Sequence, residues 1–220
     1  MTEPKTADVM CRRVVSAALD TSFKELVGTM IVHEMSMIPV VDSAGRPVGT
    51  VTEEDLATKL EFHGGAGNRP ILAGAHTRAR WHKSSATVAA ELMTPAVTVA
   101  ENVGLRAALR LLAGVRAGRL CVVNGKGTLV GVLGRGDALR LFLRGDDVIR
   151  ADLERRLLPA SANTRRVAVH VADGVVTLDG AMCLHSATQR AEWIARGVPG
   201  VIAVRNNLCF DVDDLMITGL

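Results

Sequence analysis

Tyrosine is missing from the chain, and four phenylalanines and two tryptophans are its only benzenoid side chains in 220 residues. A surface this poor in rings is ill equipped to stack exposed bases. One-sided charge is missing too: the formal net charge is +3, too little to point to nucleic acid. Cysteine is scarce and scattered. Cys11, Cys121, Cys183 and Cys209 form no C-x-x-C pair, which argues against a zinc ribbon or redox dithiol and predicts free or buried thiols in a reducing compartment. No stretch approaches the roughly 18 apolar residues of a membrane span. The opening MTEPKTADVM has no basic segment leading into an apolar run, so no signal peptide is expected and the predicted setting is cytoplasmic.

Catalytic patterns are equally thin. His63, His76 and His82 lack ligand spacing and a carboxylate helper, and His170 and His185 have no partnered nucleophile nearby. The NGKGT stretch at 124–128 fails the phosphate-loop spacing because position 120 is Leu, and it reads as a hairpin turn. The RGD triplets at 135–137 and 144–146 read as chance. Arg155-Arg156 and Arg165-Arg166 read as solvated ends of a helix and a strand, and Asp173 and Asp179 as turn residues. No metal, catalytic cofactor or enzymatic activity is expected.

What the chain does have is apolar patterning, and it occurs twice. Apolar residues make up 48% of the sequence, enough to bury a core. In 8–60, Ser22 and Glu25 form a capping-box signature, and Phe23, Leu26, Val27, Met30 and Ile31 follow helical spacing. MIPVVD then reads as a buried strand, SAGRP as a turn, VGTVT as a strand and EEDLATKL as a helix. In 91–143, Leu105, Ala108, Leu109 and Leu112 share a helix face, followed by the strand RLCVVN, the turn GKG, the strand LVGVLG and the helix RGDALRLFL. Pro39 matches Cys121, Val41 matches Val123, Gly49 matches Gly131, and Asp55 matches Asp137 at an offset of 137 − 55 = 82. The charge is patterned as well. Residues 86–145 carry 8 basic against 3 acidic side chains (+5), and 146–220 carry 8 against 10 (−2), so the middle of the chain attracts anions.

Between the copies, 61–87 holds four Gly, one acid and four bases and reads as an extended loop or partly ordered linker. After them comes a different pattern. DDVIRADLERRLL predicts an amphipathic helix with Val148, Ile149, Leu153 and Leu157 inward, capped by Asp146 or Asp147. Val167, Val169 and Val171 alternate into an Asp173-Gly174 turn, and Val176 and Leu178 alternate back. HSATQRAEWIAR, stopped by Gly197, predicts a helix, and PGVIAVRNNLCF a last strand.

Each copy resembles a CBS domain, on MIPVVD…GRPVGTVTEEDL and on the matching DVM and ELMTPAVTV segments. The tail is similar to a BON domain, on GVVTLDG followed by GVPGVIAVRNNL. The resemblance implies an α+β fold: tandem CBS repeats packed sheet against sheet as one module, plus a small αββαβ BON domain. The expected divisions are a first CBS repeat at 1–60, the linker at 61–87, a second CBS repeat at 88–145, the BON domain at 146–212 and a tail at 213–220. It also implies a homodimer formed through the CBS pairs. For the BON domain it implies association with phospholipid, a protein partner or another copy.

In CBS pairs, a Thr or Ser at a strand-to-helix junction with Asp three residues on commonly holds an adenosine nucleotide. Thr52 and Asp55 match. The resemblance places Asp55 on the ribose hydroxyls, and Thr52 with the helix amides on phosphate. Ile38 and Pro39 would offer backbone groups and apolar surface to adenine. At the second junction Asp137 remains, Gly134 replaces Thr, and Arg135 is the candidate phosphate partner. The implied ligand is AMP, ADP, ATP or a related adenine nucleotide. A second reading needs no ligand: Thr52 and Asp55 form a capping box, and Gly134 with Asp137 a weaker cap. The first reading makes the chain a non-enzymatic sensor. The second makes it a scaffold or interaction protein whose CBS pair is structural. A nucleic-acid partner for the basic 61–87 segment is opposed by the scarce aromatics and small charge.

Overall fold

The computed structural model describes residues 3–65, 74–157 and 164–215. Parts of the reading above concern positions 66–73, 216–220 and the side chains of His76, Arg165 and Arg166, which lie outside the described residues. The chain divides into two compact units, Lys5–Ala138 and a C-terminal one beginning at Leu139.

In the first unit the two repeats build two sheets. The first repeat supplies β1 (Ala17–Ala18), α2 (Phe23–Val32), β2 (Met37–Val41), β3 (Pro47–Thr52) and α3 (Glu53–Glu61), behind a short α1 (Thr6–Val9). The second supplies α5 (Ala89–Leu92), β4 (Thr94–Pro95), β5 (Thr98–Ala100), α6 (Leu105–Ala113), β6 (Arg119–Val123), β7 (Leu129–Gly134) and α7 (Arg135–Leu139). The sheet orders are β1-β2-β3-β4 and β5-β6-β7. β2 and β3 run antiparallel, as do β6 and β7, and both hairpins slip register near the turn, at Val40/Val41 and Val122/Val123. The turns are alike. Asp42 Oδ1 accepts the amides of Ala44 and Arg46, and Asn124 Oδ1 accepts those of Lys126 and Thr128. The NGKGT stretch is the expected hairpin turn, closed by Asn124 as an Asx turn.

The repeats are joined by exchange. β4, the start of the second repeat, pairs with β3 of the first through Gly49 and Thr50. Reciprocally, Cys11 at the start of the first repeat bridges Val132 on β7. The helix starts repeat the exchange, with Lys5 bridging Gly104 and Ser22 bridging Val88. Glycine permits the close approach. A Cβ on Gly49 would lie 2.4 Å from Met93 Sδ, and one on Gly131 2.5 Å from Met10 Sδ. The first repeat's core of Leu26, Met30, Ile38, Val40, Val51 and Leu56 is completed by Ala86 at the end of the linker and by Ala89 and Leu92 from the second repeat's leading segment. Burying each of the larger aliphatic side chains stabilises by roughly 1.5–3 kcal/mol, so the first repeat does not keep a full core alone.

Three readings are refined here. Ile31 follows the same helical spacing as Phe23, Leu26, Val27 and Met30, but Leu26 and Met30 fill the buried face of α2 and Ile31 is 72% exposed. The linker is not only a loop, because Ala75–Ser84 forms a helix, α4. It follows Gly74 and contains neither Gly nor Pro, so nothing in it opposes helix formation. The RGDALRLFL helix is shorter than predicted: α7 ends at Leu139 and continues as a 3-10 segment, Arg140–Leu143.

The C-terminal unit contains α8 (Asp146–Leu157), β8 (Thr164–Ala172), β9 (Val175–Leu184), α9 (His185–Arg196) and β10 (Ala203–Val212). The sheet order is β10-β9-β8, with β8 and β9 antiparallel and β9 and β10 parallel across the α9 crossover. The αββαβ order is the one expected. Asp173 (φ 51°) and Gly174 (φ 71°) make the two-residue turn between β8 and β9. Ile149, Leu153 and Leu157 face the core with Val176, Leu178 and Met182, whereas Val148, expected inward, is 46% exposed. The predicted cap of α8 is also corrected. Gly145 stands at the cap, its carbonyl accepting from Val148 and Ile149. Asp146 instead accepts the turn amides of Asp173 and Gly174, at 2.8 and 2.9 Å. The Asp152 carboxyl is lowered from its ordinary value, first by the hydrogen bond from Arg144. The same Arg144 donates to the carbonyl of Pro199.

Candidate functional site

A cleft of about 510 Å³ opens within the first unit. The β3–α3 junction supplies Thr52 and Asp55, α4 supplies Arg80 and Lys83, and the α6–β6 segment supplies Arg116 and Arg119. The junction is organised by its own chemistry. Thr52 is the N-cap of α3 and Asp55 its N3 residue. The Thr52 amide and hydroxyl both donate to Asp55 Oδ2, at 2.9 and 2.8 Å, and the Asp55 amide donates back to Thr52 Oγ1. This is a capping box in full.

The other carboxylate oxygen faces a cation. Lys83 Nζ donates to Asp55 Oδ1 at 2.6 Å and to Thr94 Oγ1 at 2.8 Å. Both members of the pair are largely shielded, with side chains 18% and 14% exposed. Around them, Arg80 pairs with Glu61, and Arg116 reaches Glu54 at 4.0 Å in the open. Arg119 has no ion-pair partner among the described residues. The cleft therefore joins three carboxylates (Glu53, Glu54 and Asp55), four threonines and four cationic side chains. It is suited to a ligand with hydroxyls at one end and negative charge at the other.

The seven residues singled out from the sequence fall in different places. Thr52 and Asp55 meet in the cleft. Ile38, at 1% exposed, points into the first repeat's core. Pro39 is buried opposite Thr50 of β3. Gly134, Arg135 and Asp137 form the second junction outside the cleft lining. There Asp137, only 7% exposed, accepts the Gly134 amide at 2.8 Å, while exposed Arg135 reaches towards Gly118. The two junctions approach each other through Arg119. It lines the cleft, and its Nη1 lies 3.5 Å from where a Gly134 Cβ would be.

Lys83, Thr94 and Arg119 were not found from the sequence. Lys83 lies 28 residues beyond Asp55 on a helix of mostly polar residues. The usable signal was weak: an uninterrupted Ala75–Ser84 run with two cations three residues apart, Arg80 and Lys83. Among the described residues, no three His, Cys, Asp or Glu side chains gather as a metal site, and no helix is long and apolar enough to cross a membrane.

Comparison with known proteins identifies the domains. The family described as CBS domain matches residues 7–61 and 88–144, and the BON domain family matches 145–211. The chain is 27% identical over 135 residues to the chloroplastic CBS domain-containing protein CBSX1 of Arabidopsis thaliana, covering 56% of this chain and 57% of that one. It thus spans little more than half of that relative. A crystal structure of CBSX2 in complex with AMP is 26% identical, covering 63% of this chain and 96% of that one, with a TM-score of 0.50. The CBS domain pair of protein MJ0100, 21% identical with a TM-score of 0.50, shares the fold.

Proposed function

The chain belongs to the CBS-domain family, with a BON domain behind its CBS pair, and from that premise we propose that it is a non-catalytic regulatory protein binding an adenine nucleotide at the Thr52–Asp55 junction. The cleft carries this reading. A carboxylate that can accept ribose hydroxyls lies beside Lys83, with Arg80, Arg116 and Arg119 on the walls to meet phosphate. The AMP bound by CBSX2, a relative with the same pair of repeats, supports the ligand class. AMP, ADP and ATP are the nucleotides in question, and the cytoplasm is the setting.

Because the cleft walls come from both repeats and from α4, occupancy biases the packing among them. Self-association is the second part of the proposal. An apolar groove of about 380 Å³ lies between α2 and α3, lined in part by Ile31 and Leu60 at 72% and 85% exposed. A second copy is its occupant. The BON unit carries the output to a partner protein, a phospholipid surface or another copy. Its exposed Trp193 and Ile202, at 64% and 62%, support such contact.

One observation favours the scaffold reading instead: both Asp55 oxygens already hold partners within the chain. Isothermal titration of the full chain with AMP, ADP and ATP, alongside sedimentation, separates the two. On the sensor reading wild type gives saturable heat, and Asp55→Ala weakens it by about tenfold or more, the loss of at least one charge-assisted hydrogen bond. Heat from none of the three nucleotides would leave the scaffold.

A further inference from the structure

We propose that Lys83, on the helix between the repeats, selects phosphorylated ligands at the Asp55 site by competing with the ribose for its carboxylate. The inference rests on the nucleotide reading above and concerns a residue outside both repeats. A carboxylate offers about four acceptor positions. On Asp55, the Thr52 amide and hydroxyl take Oδ2, and Lys83 takes Oδ1 at 2.6 Å. One position on Oδ1 is left, too few for two ribose hydroxyls while the ammonium stays.

A ribose held by both hydroxyls therefore displaces Lys83. What becomes of the ammonium decides the affinity. Its pair with Asp55 is 18% and 14% exposed, so a displaced Lys83 without a new anion loses more than a surface pair would. A nucleoside offers no replacement. A nucleotide does, because its phosphate is attached to the same ribose and the flexible four-carbon stem of Lys83 can follow it without moving α4. Arg80 and Arg116 are less suited to this role, since their partners Glu61 and Glu54 compete with the ligand rather than the ribose acceptor doing so. The site thus discriminates against adenosine through an internal rival and for AMP through the same side chain.

The test is titration of the full chain and of Lys83→Met with adenosine and with AMP, with Lys83→Arg as the charge-preserving control and thermal melts to establish folding. In wild type AMP binds more tightly than adenosine. In Lys83→Met, adenosine tightens, AMP weakens, and the ratio of the two affinities falls by about tenfold or more. Lys83→Arg keeps the preference for AMP. A merely structural lysine would shift both ligands together, so an unchanged ratio in Lys83→Met overturns the proposal while leaving the nucleotide site standing. Absence of binding by either ligand to wild type removes both.

Discussion

The two strand-to-helix junctions, GTVTEEDL and GVLGRGDA, share a leading Gly and an Asp six residues on, and end in different physical states. At the first, Thr52 opens a nine-residue helix, and Asp55 faces a cleft with one oxygen on the cap and one on Lys83. At the second, Gly134 opens a five-residue helix, and Asp137 is buried against the Gly134 amide. An acid near a helix start is favourable in both places. What separates them is access: the linker helix brings cations to the first carboxylate, whereas packing closes over the second. Internal repetition has preserved the scaffold, and the segment between the copies has made one junction unlike the other.

The scaffold itself is where the copies are most alike, and where breaking the likeness costs most. Gly49→Ala places a Cβ 2.4 to 2.8 Å from three atoms of Met93, including its Cβ, which cannot swing away. Gly131→Ala meets Met10 Sδ at 2.5 Å, but the next contacts are at 3.0 and 3.1 Å, and the sulfur is the movable end of its side chain. Both substitutions overpack a strand exchange, at a cost of about 1–3 kcal/mol, with Gly49→Ala the larger. Urea midpoints of the two variants give the order directly. Equal and negligible shifts would mean that the exchanged segments are not held as tightly as the geometry implies.

This exchange was only partly legible in the sequence. Strand and helix order could be read because Ser22, the Asp173-Gly174 turn and the alternating valines act locally, through caps, turns and periodicity. The offset of 82 between Asp55 and Asp137 exposed the repetition, yet nothing local says that Met10 rests on Gly131 rather than within its own repeat. The candidate site was legible to the same depth. Thr52 and Asp55 were found because a capping box and a ligand junction use the same residues. Lys83 was not, because its contact spans 28 positions. The burial of Asp137 was hidden too, since exposure is set by tertiary packing and not by the letters RGDA.

A second comparison between the copies concerns Pro39 and its counterpart Cys121. Burial pushes the Cys121 thiol up to about 11, and the side chain is fully shielded in β6. At neutral pH the folded and unfolded chains both keep this proton. Above the thiol's ordinary range near 9 the unfolded chain ionises while the folded one does not, so stability falls as pH rises, until the buried thiol itself ionises. Between pH 8 and 10, wild type should lose about 1 kcal/mol more stability than Cys121→Ala. Comparing the two proteins by urea melts cancels the lysines and the other thiols. Parallel curves would show that water reaches Cys121 in the folded chain and that the second hairpin is looser than the first.

The smallest effect tests whether the missing hydroxyl or the closed packing makes the second junction different. Gly134→Thr restores the residue found at position 52. The new Cβ would lie 3.4 Å from Asp137 Oδ2 and 3.5 Å from Arg119, ordinary contact distances. The hydroxyl could then bond Asp137 as Thr52 bonds Asp55 at 2.8 Å, and the unfolded chain would lose the freedom of a glycine. The expected gain is about 0.5–1 kcal/mol in a thermal or urea melt. Nucleotide stoichiometry in the same titration should not change, because a hydroxyl added at Gly134 does not uncover a carboxylate only 7% exposed. A second equivalent of bound nucleotide in Gly134→Thr would reverse that conclusion: the hydroxyl, and not burial, would then be what kept the second junction empty.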